Sequence, residues 1–164
     1  MVNNETIDIE HVWQVLATVS DPEIPVLPIT DLGIVKAVFI KDEVLNVQIS
    51  PTYSGCPAGD VIVYDVKAAL VAAGYKNTIV ETVIFPVWTT DDITEVGKQL
   101  LENYGIAPPV NKYNPNIDLE TITVPCPRCK SEHTVLVSSF GSTACKALFK
   151  CKDCLEPFDY FKCH

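Results

Sequence analysis

The chain has 164 residues, 48% hydrophobic and 20% charged, with a net charge of −9. That length allows one ordinary domain, or a domain of about 110 residues with a small appendage, and the apolar content excludes wholesale disorder. Residues 1–115 hold fifteen acids and six bases, so the excess charge lies there; an acidic domain repels phosphate backbones, which argues against nucleic acid as a partner.

In chain order, Ile9, Val12, Trp13 and Leu16 recur at helical spacing, with Thr6 or Asp8 as cap and Ser20-Asp21-Pro22 as stop. DPEIPVLPITD then places three prolines within seven positions and is predicted to be stiff and non-helical. Two β-branched runs over 34–40 and 44–50, parted by Lys41-Asp42-Glu43, predict a hairpin. Within the second run Leu45, Val47 and Ile49 alternate with Asn46 and Gln48, as in a half-buried strand. Ala58, Ile62, Val66, Ala69 and Ala73 return to helical period, with Pro57 in a first-turn position and Gly74 as a stop. A third strand is predicted over 78–85. Thr89 or Thr90 then caps a helix whose buried stripe is Ile93, Val96, Leu100, Leu101 and Tyr104, ending at Gly105; Asp91 and Asp92 suit the positive end of its dipole. The order α-β-β-α-β-α predicts an α+β fold, a small mixed sheet with helices on one face.

IAPPVNKYNPNIDLE has three prolines, three asparagines and no period, and reads as a linker. Three short β-type runs follow, over 121–124, 134–138 and 147–150. A piece this small needs a metal or disulfides to hold it. The expected organisation is a first domain over 1–107, a linker over 108–120 and a zinc-ribbon-like β module over 121–164.

Six of the seven cysteines crowd into the last 39 residues. The opening MVNNETIDIEH lacks the basic region and apolar core of a secretory signal, and no run of about 18 apolar residues would span a membrane. A cytoplasmic setting is therefore expected, where paired C-x-x-C motifs serve metals more often than disulfides. Cys126-Pro-Arg-Cys129 and Cys151-Lys-Asp-Cys154, 21 residues apart, make two knuckles that place four thiolates on one ion. With no open position such a zinc is structural, although an iron–sulfur cluster also takes four cysteines. Cys145 and Cys163, with His164 beside the latter, stand as extra ligands or as non-ligands; six thiolates exceed what one zinc accepts. His133 is expected at solvent or a turn, and His11 on the polar side of the first helix.

The seventh, Cys56, precedes a helix in Ser54-Gly55-Cys56-Pro57, where free N–H groups and the helix dipole favour an anionic sulfur. Thr52 and Ser54 stand close enough to orient it. A small buried residue beside a cap is the plainer reading, and a cysteine hydrolase lacks a recognisable base among His11, His133 and His164. Asp21, Glu23 and Asp31 either cap proline-rich turns or form a polar rim near Cys56.

Asp21-Pro22-Glu23-Ile24-Pro25, Asp31-Leu32-Gly33-Ile34-Val35 and Thr52-Tyr53-Ser54-Gly55-Cys56-Pro57-Ala58 resemble the DPE, DLG and T-x-x-x-C-P motifs of the SufT-type iron–sulfur assembly domain, over residues 8 to 107. The tail, with Cys126 and Cys129, the run from Phe140 to Leu148 and the ending from Glu156 to Cys163, extends the resemblance to the PaaD family of phenylacetate degradation. The resemblance implies an accessory protein that matures iron or iron–sulfur centres of the phenylacetyl-CoA ring 1,2-epoxidase, above all its [2Fe–2S] reductase component. It places the reactive cysteine on Cys56, with Thr52, Asp21 and Glu23 around it, handling iron or a [2Fe–2S] cluster transiently. A homodimer would supply a second Cys56. Two rivals remain: a scaffold component bound to the epoxidase through the tail, and a Cys56 thiol enzyme.

Overall fold

The computed structural model describes residues 7–162; Thr6, Cys163 and His164 lie outside them. The chain divides into two compact units, Met1–Trp88 and Thr89–His164.

In the first unit, the Asp8 carboxylate accepts the N–H groups of Glu10 and His11, at 3.0 and 3.3 Å, and so starts α1 (Ile9–Leu16). Val12 and Leu16 are buried, while His11 stays exposed with Nδ1 2.7 Å from the Tyr75 hydroxyl. The proline-rich stretch contains a short helix that its composition argued against, α2 (Ile29–Leu32). Pro28 stands ahead of its first turn, where a missing N–H removes no helical bond, and Gly33 ends it at φ +78°.

The predicted hairpin is β1 (Val35–Lys41) and β2 (Val44–Ile49), antiparallel, turning through Asp42 and Glu43 at positive φ. β3 (Thr78–Thr82) lies parallel to β2, giving a mixed sheet of order β1-β2-β3. β3 ends short of residue 85 because Ile49, opposite Thr82, is the last residue of β2. Leu45, Val47 and Ile49 are buried with Ile62, Val66 and Leu70 of α3 (Ala58–Ala72). Leu70 takes the core place expected of Ala69. In the opposite register row, Phe39 and Ile79 stay exposed on either side of Asn46.

The second unit begins well before residue 107. A 3-10 turn at Thr90–Asp92, closed by a reciprocal Thr89–Asp92 capping box, precedes α4 (Glu95–Tyr104). Thr94 caps α4 by accepting the Gly97 N–H at 2.9 Å. Within α4 Gly97 and Leu101 are buried, while Val96 and Tyr104, placed in the expected stripe, face solvent. Gly105 at φ +93° ends α4 and leads into β4 (Ile106–Ala107). β4 pairs in parallel with β7 (Pro157–Phe161), which pairs with β6 (Lys146–Cys151), which pairs with β5 (Thr134–Ser138). That pairing is why residues 106 and 107 belong with the tail.

Residues 121–124 form no strand, although Val124 is buried and its carbonyl accepts the Thr134 hydroxyl at 2.7 Å. Phe149 stacks on Phe158 and meets Tyr160 edge-on, forming an apolar core with Ala147, Cys126 and Cys151. Leu119, in the expected linker, packs against it.

Candidate metal and thiol sites

The two knuckles repeat one geometry. In the first, the Cys126 N–H donates to the Ser131 carbonyl at 2.9 Å and Lys130 turns through φ +63°. In the second, the Cys151 N–H donates to the Glu156 carbonyl at 2.9 Å and Leu155 turns through φ +65°. Each left-handed residue directly follows the knuckle's second cysteine, bending the chain so that both sulfurs point to one spot. The four sulfurs lie within 4.8 Å of one another, with Cys126–Cys154 at 3.7 Å and Cys129–Cys151 at 3.6 Å. Sulfurs at about 2.3 Å from a tetrahedral zinc stand about 3.8 Å apart, whereas disulfide sulfurs sit at about 2.05 Å. The donor set therefore fits a closed four-thiolate metal site.

Ionisation of the sulfurs is uneven. The Cys154 backbone N–H, aided by that of Asp153, lowers the Cys151 thiol to about 7. The Glu156 backbone N–H lowers Cys154, but burial and the neighbouring sulfurs outweigh it and raise that thiol to about 12. Crowded sulfurs cannot all be anionic without a cation between them. Two polar bridges tie the knuckles together: Arg128 to Glu156 at 2.6 Å, and Ser131 to Asp153, which also faces His133 Nδ1 at 3.4 Å. The Ser131 hydrogen bond, then His133, holds the Asp153 carboxyl below its usual range. Lys130 pairs with Glu102 of α4 at 2.6 Å. Cys145 is buried in the turn before β6, its sulfur 3.0 Å from the Thr143 hydroxyl and apart from the four-sulfur group.

The second place is at the start of α3. β2 runs out into Pro51 and Thr52, Gly55 turns at φ +84°, and the Cys56 N–H donates to the Tyr53 carbonyl at 3.3 Å. Pro57 caps α3 without a side-chain bond, so Cys56 sits just before the free amides of the helix. Cys56 is partly exposed and borders a chamber of about 10 Å³ whose other polar walls are Asp21, Thr52 and Thr82. Ile34, Ile49 and Ile62 form apolar wall around them. That volume holds about one water.

Asp21 is buried, and its Oδ1 accepts the N–H groups of Glu23 and Ile24 at 2.7 and 2.9 Å. It both closes the proline-rich turn and lines the chamber. Glu23, Asp31 and Ser54 do not line it. Thr82 went unseen in the sequence because only the parallel pairing of β3 with Ile49 brings it there.

Residues 9–81 match the family described as iron-sulfur cluster assembly protein, and residues 111–162 the PaaD zinc beta ribbon domain. Over 156 residues, 94% of this chain and 93% of the relative, the chain is 45% identical to an Escherichia coli (strain K12) protein whose name makes it a component of 1,2-phenylacetyl-CoA epoxidase. The chain belongs to the PaaD family. The chain is also 34% identical over 97 residues to an Fe-S protein maturation auxiliary factor of Porphyromonas gingivalis, covering 57% of this chain and 91% of that one. Its fold resembles the crystal structure of a domain of unknown function, DUF59, from Bacillus anthracis, with TM-score 0.52, 27% identity and coverage of 56% and 89%. Among the described residues no helix is long and apolar enough to cross a membrane.

Proposed function

We propose that this PaaD-family protein is an accessory factor, not a catalyst, that matures iron–sulfur or iron centres of the phenylacetyl-CoA epoxidase system in the cytoplasm. Its client in this reading is the [2Fe–2S] reductase component, and the cargo is iron or a [2Fe–2S] cluster. The observation that carries it is Cys56, a half-exposed sulfur at a helix N-terminus, bordering a small chamber that Asp21 and Thr52 also line. A space of about 10 Å³ is too small for a cluster, so cargo is held at the mouth, with the sulfur as its single protein thiolate. One thiolate is too few for a stable [2Fe–2S] centre, which takes four protein ligands. Brief holding and release follow; a second Cys56 from a homodimer would lengthen the hold. Glu23 acts from outside the chamber, by shaping the Asp21 turn.

The four-cysteine group holds structural zinc and folds the tail, which serves as the arm that recognises the client. Its residues supply four thiolates and no open position, so no chemistry is asked of that ion. Cys145 and Cys163 are not needed as ligands in this reading.

The test is Cys56→Ser in cells that make the epoxidase components. The variant should fold as the parent does, while iron and sulfide per reductase fall several-fold. Full cluster loading with the serine variant would remove Cys56 from the function and leave a scaffold role through the tail.

A further inference from the structure

The proline- and asparagine-rich stretch after Ala107 has no part in either site above. From Pro108 to Pro125, ahead of the first knuckle, the chain has no helix or strand. Irregular segments of such length in a compact unit are uncommon, and are either functional loops or linkers. This one is anchored: Asp91 accepts the Tyr113 N–H at 2.9 Å, and Asn114 and Asp118 accept the N–H groups two residues on, at 2.9 and 3.0 Å.

The anchored loop walls a cavity of about 330 Å³ with the 3-10 turn and β7. That is roughly twice the 150 Å³ that encloses a benzene, and falls at the small end of ligand sites. Pro109, Pro115, Ile117 and Leu119 give it an apolar wall. Thr90 and Tyr160, only 6% and 4% exposed, bring polar groups to its lining, beside Asn111 and Asn114. Among the described residues its charged lining is Lys112 and Lys162, with no carboxylate, although the chain holds 21 acids against 12 bases. The nearby Asp91 is bonded to the loop backbone. Lys162, which also lines it, donates to the Ser139 carbonyl and lies 4.3 Å over the Phe140 ring. Burial holds its ammonium below the usual lysine range.

We infer that this cavity is a binding site for a small organic carboxylate with a ring-sized apolar body. The apolar wall takes the body, the asparagine amides and Thr90 orient it, and Lys112 with Lys162 supplies the counter-charge. The space is too small to enclose a whole thioester cofactor. This site is independent of Cys56 and of the proposed maturation role.

The test titrates sodium phenylacetate, and separately its neutral isostere phenylacetamide, into the full-length zinc-loaded chain labelled with nitrogen-15. A ligand of ten heavy atoms should bind at about millimolar strength. Saturable shifts should appear at Thr90, Tyr160 and the amides of 110–119, with phenylacetamide about tenfold weaker. Lys112→Gln should weaken phenylacetate about tenfold, while Cys56→Ser leaves it unchanged. No saturation by about 20 mM probe, shifts centred elsewhere, or equal binding of the neutral isostere or by Lys112→Gln would each overturn the site.

Discussion

Asp21 joins a turn of the fold to the chamber on which the proposed function rests. Its Oδ1 holds the turn through two N–H groups while the carboxylate lines the Cys56 chamber. An amide oxygen accepts the same N–H bonds without the charge. Asp21→Asn should therefore keep the melting temperature within a few degrees while lowering reductase cluster loading in cells. Asp21→Ala should weaken the turn as well, at about 1–3 kcal/mol, because the Glu23 N–H loses its acceptor and the Ile24 N–H keeps only the Asp21 carbonyl at 3.2 Å. Equal loading by Asp21→Asn and the parent would limit Asp21 to the turn.

Gly141 is demanding for a different reason. Its N–H donates to the Lys146 carbonyl at 2.7 Å, and an added Cβ would run into the Asp159 carboxylate and stand 3.3 Å from the Lys146 Cβ. Asp159 has little freedom to retreat, because it accepts the Ser142 hydroxyl at 2.9 Å and faces the buried Lys146 ammonium at 3.9 Å. Gly141→Ala should cost about 1–3 kcal/mol, as overpacking does, seen as a lower midpoint in denaturant. An unchanged midpoint would mean the loop yields.

At the scale of elements, what could be read in the sequence was what local pattern specifies. Alternation gave the hairpin, and the Val12–Leu16 and Ile62–Val66 spacings gave α1 and α3, since each face is decided within the element. The two knuckles were legible for the same reason. β4 has two residues, and its strand character comes only from pairing with β7, far along the chain. Thr82 entered the chamber by the same non-local route. α4 was mis-started because Thr89, Thr90 and Thr94 all suit an N-cap, and the Thr89–Asp92 box uses up the first of them in a 3-10 turn. Thr94→Ala should cost about 1 kcal/mol and increase hydrogen exchange at Gly97 and Lys98. Thr94 accepts from Gly97, and its carbonyl accepts the Lys98 N–H at 2.9 Å. Thr90→Ala should leave exchange at those two amides unchanged.

For the molecule as a whole, the two units rest on different sources of stability. The first buries long aliphatic side chains from both sheet and helices, among them Leu16, Leu32, Leu45, Ile49 and Leu70. The second has a smaller aromatic core, and two of its buried members, Cys126 and Cys151, belong to the four-sulfur group. Cys151 also ends β6, and Cys126 is bonded through its backbone to the first knuckle, so losing the ion releases both edges of that core together. Structural zinc contributes about 10–16 kcal/mol in small modules, comparable to the whole stability of a domain. A strong chelator should therefore unfold the tail while the first unit stays folded. Exchange mass spectrometry should show β5, β6 and β7 losing protection while β2 and α3 keep theirs, and added zinc should restore the pattern. Protection of β6 that survives complete metal removal would show that the aromatic core alone sustains the tail.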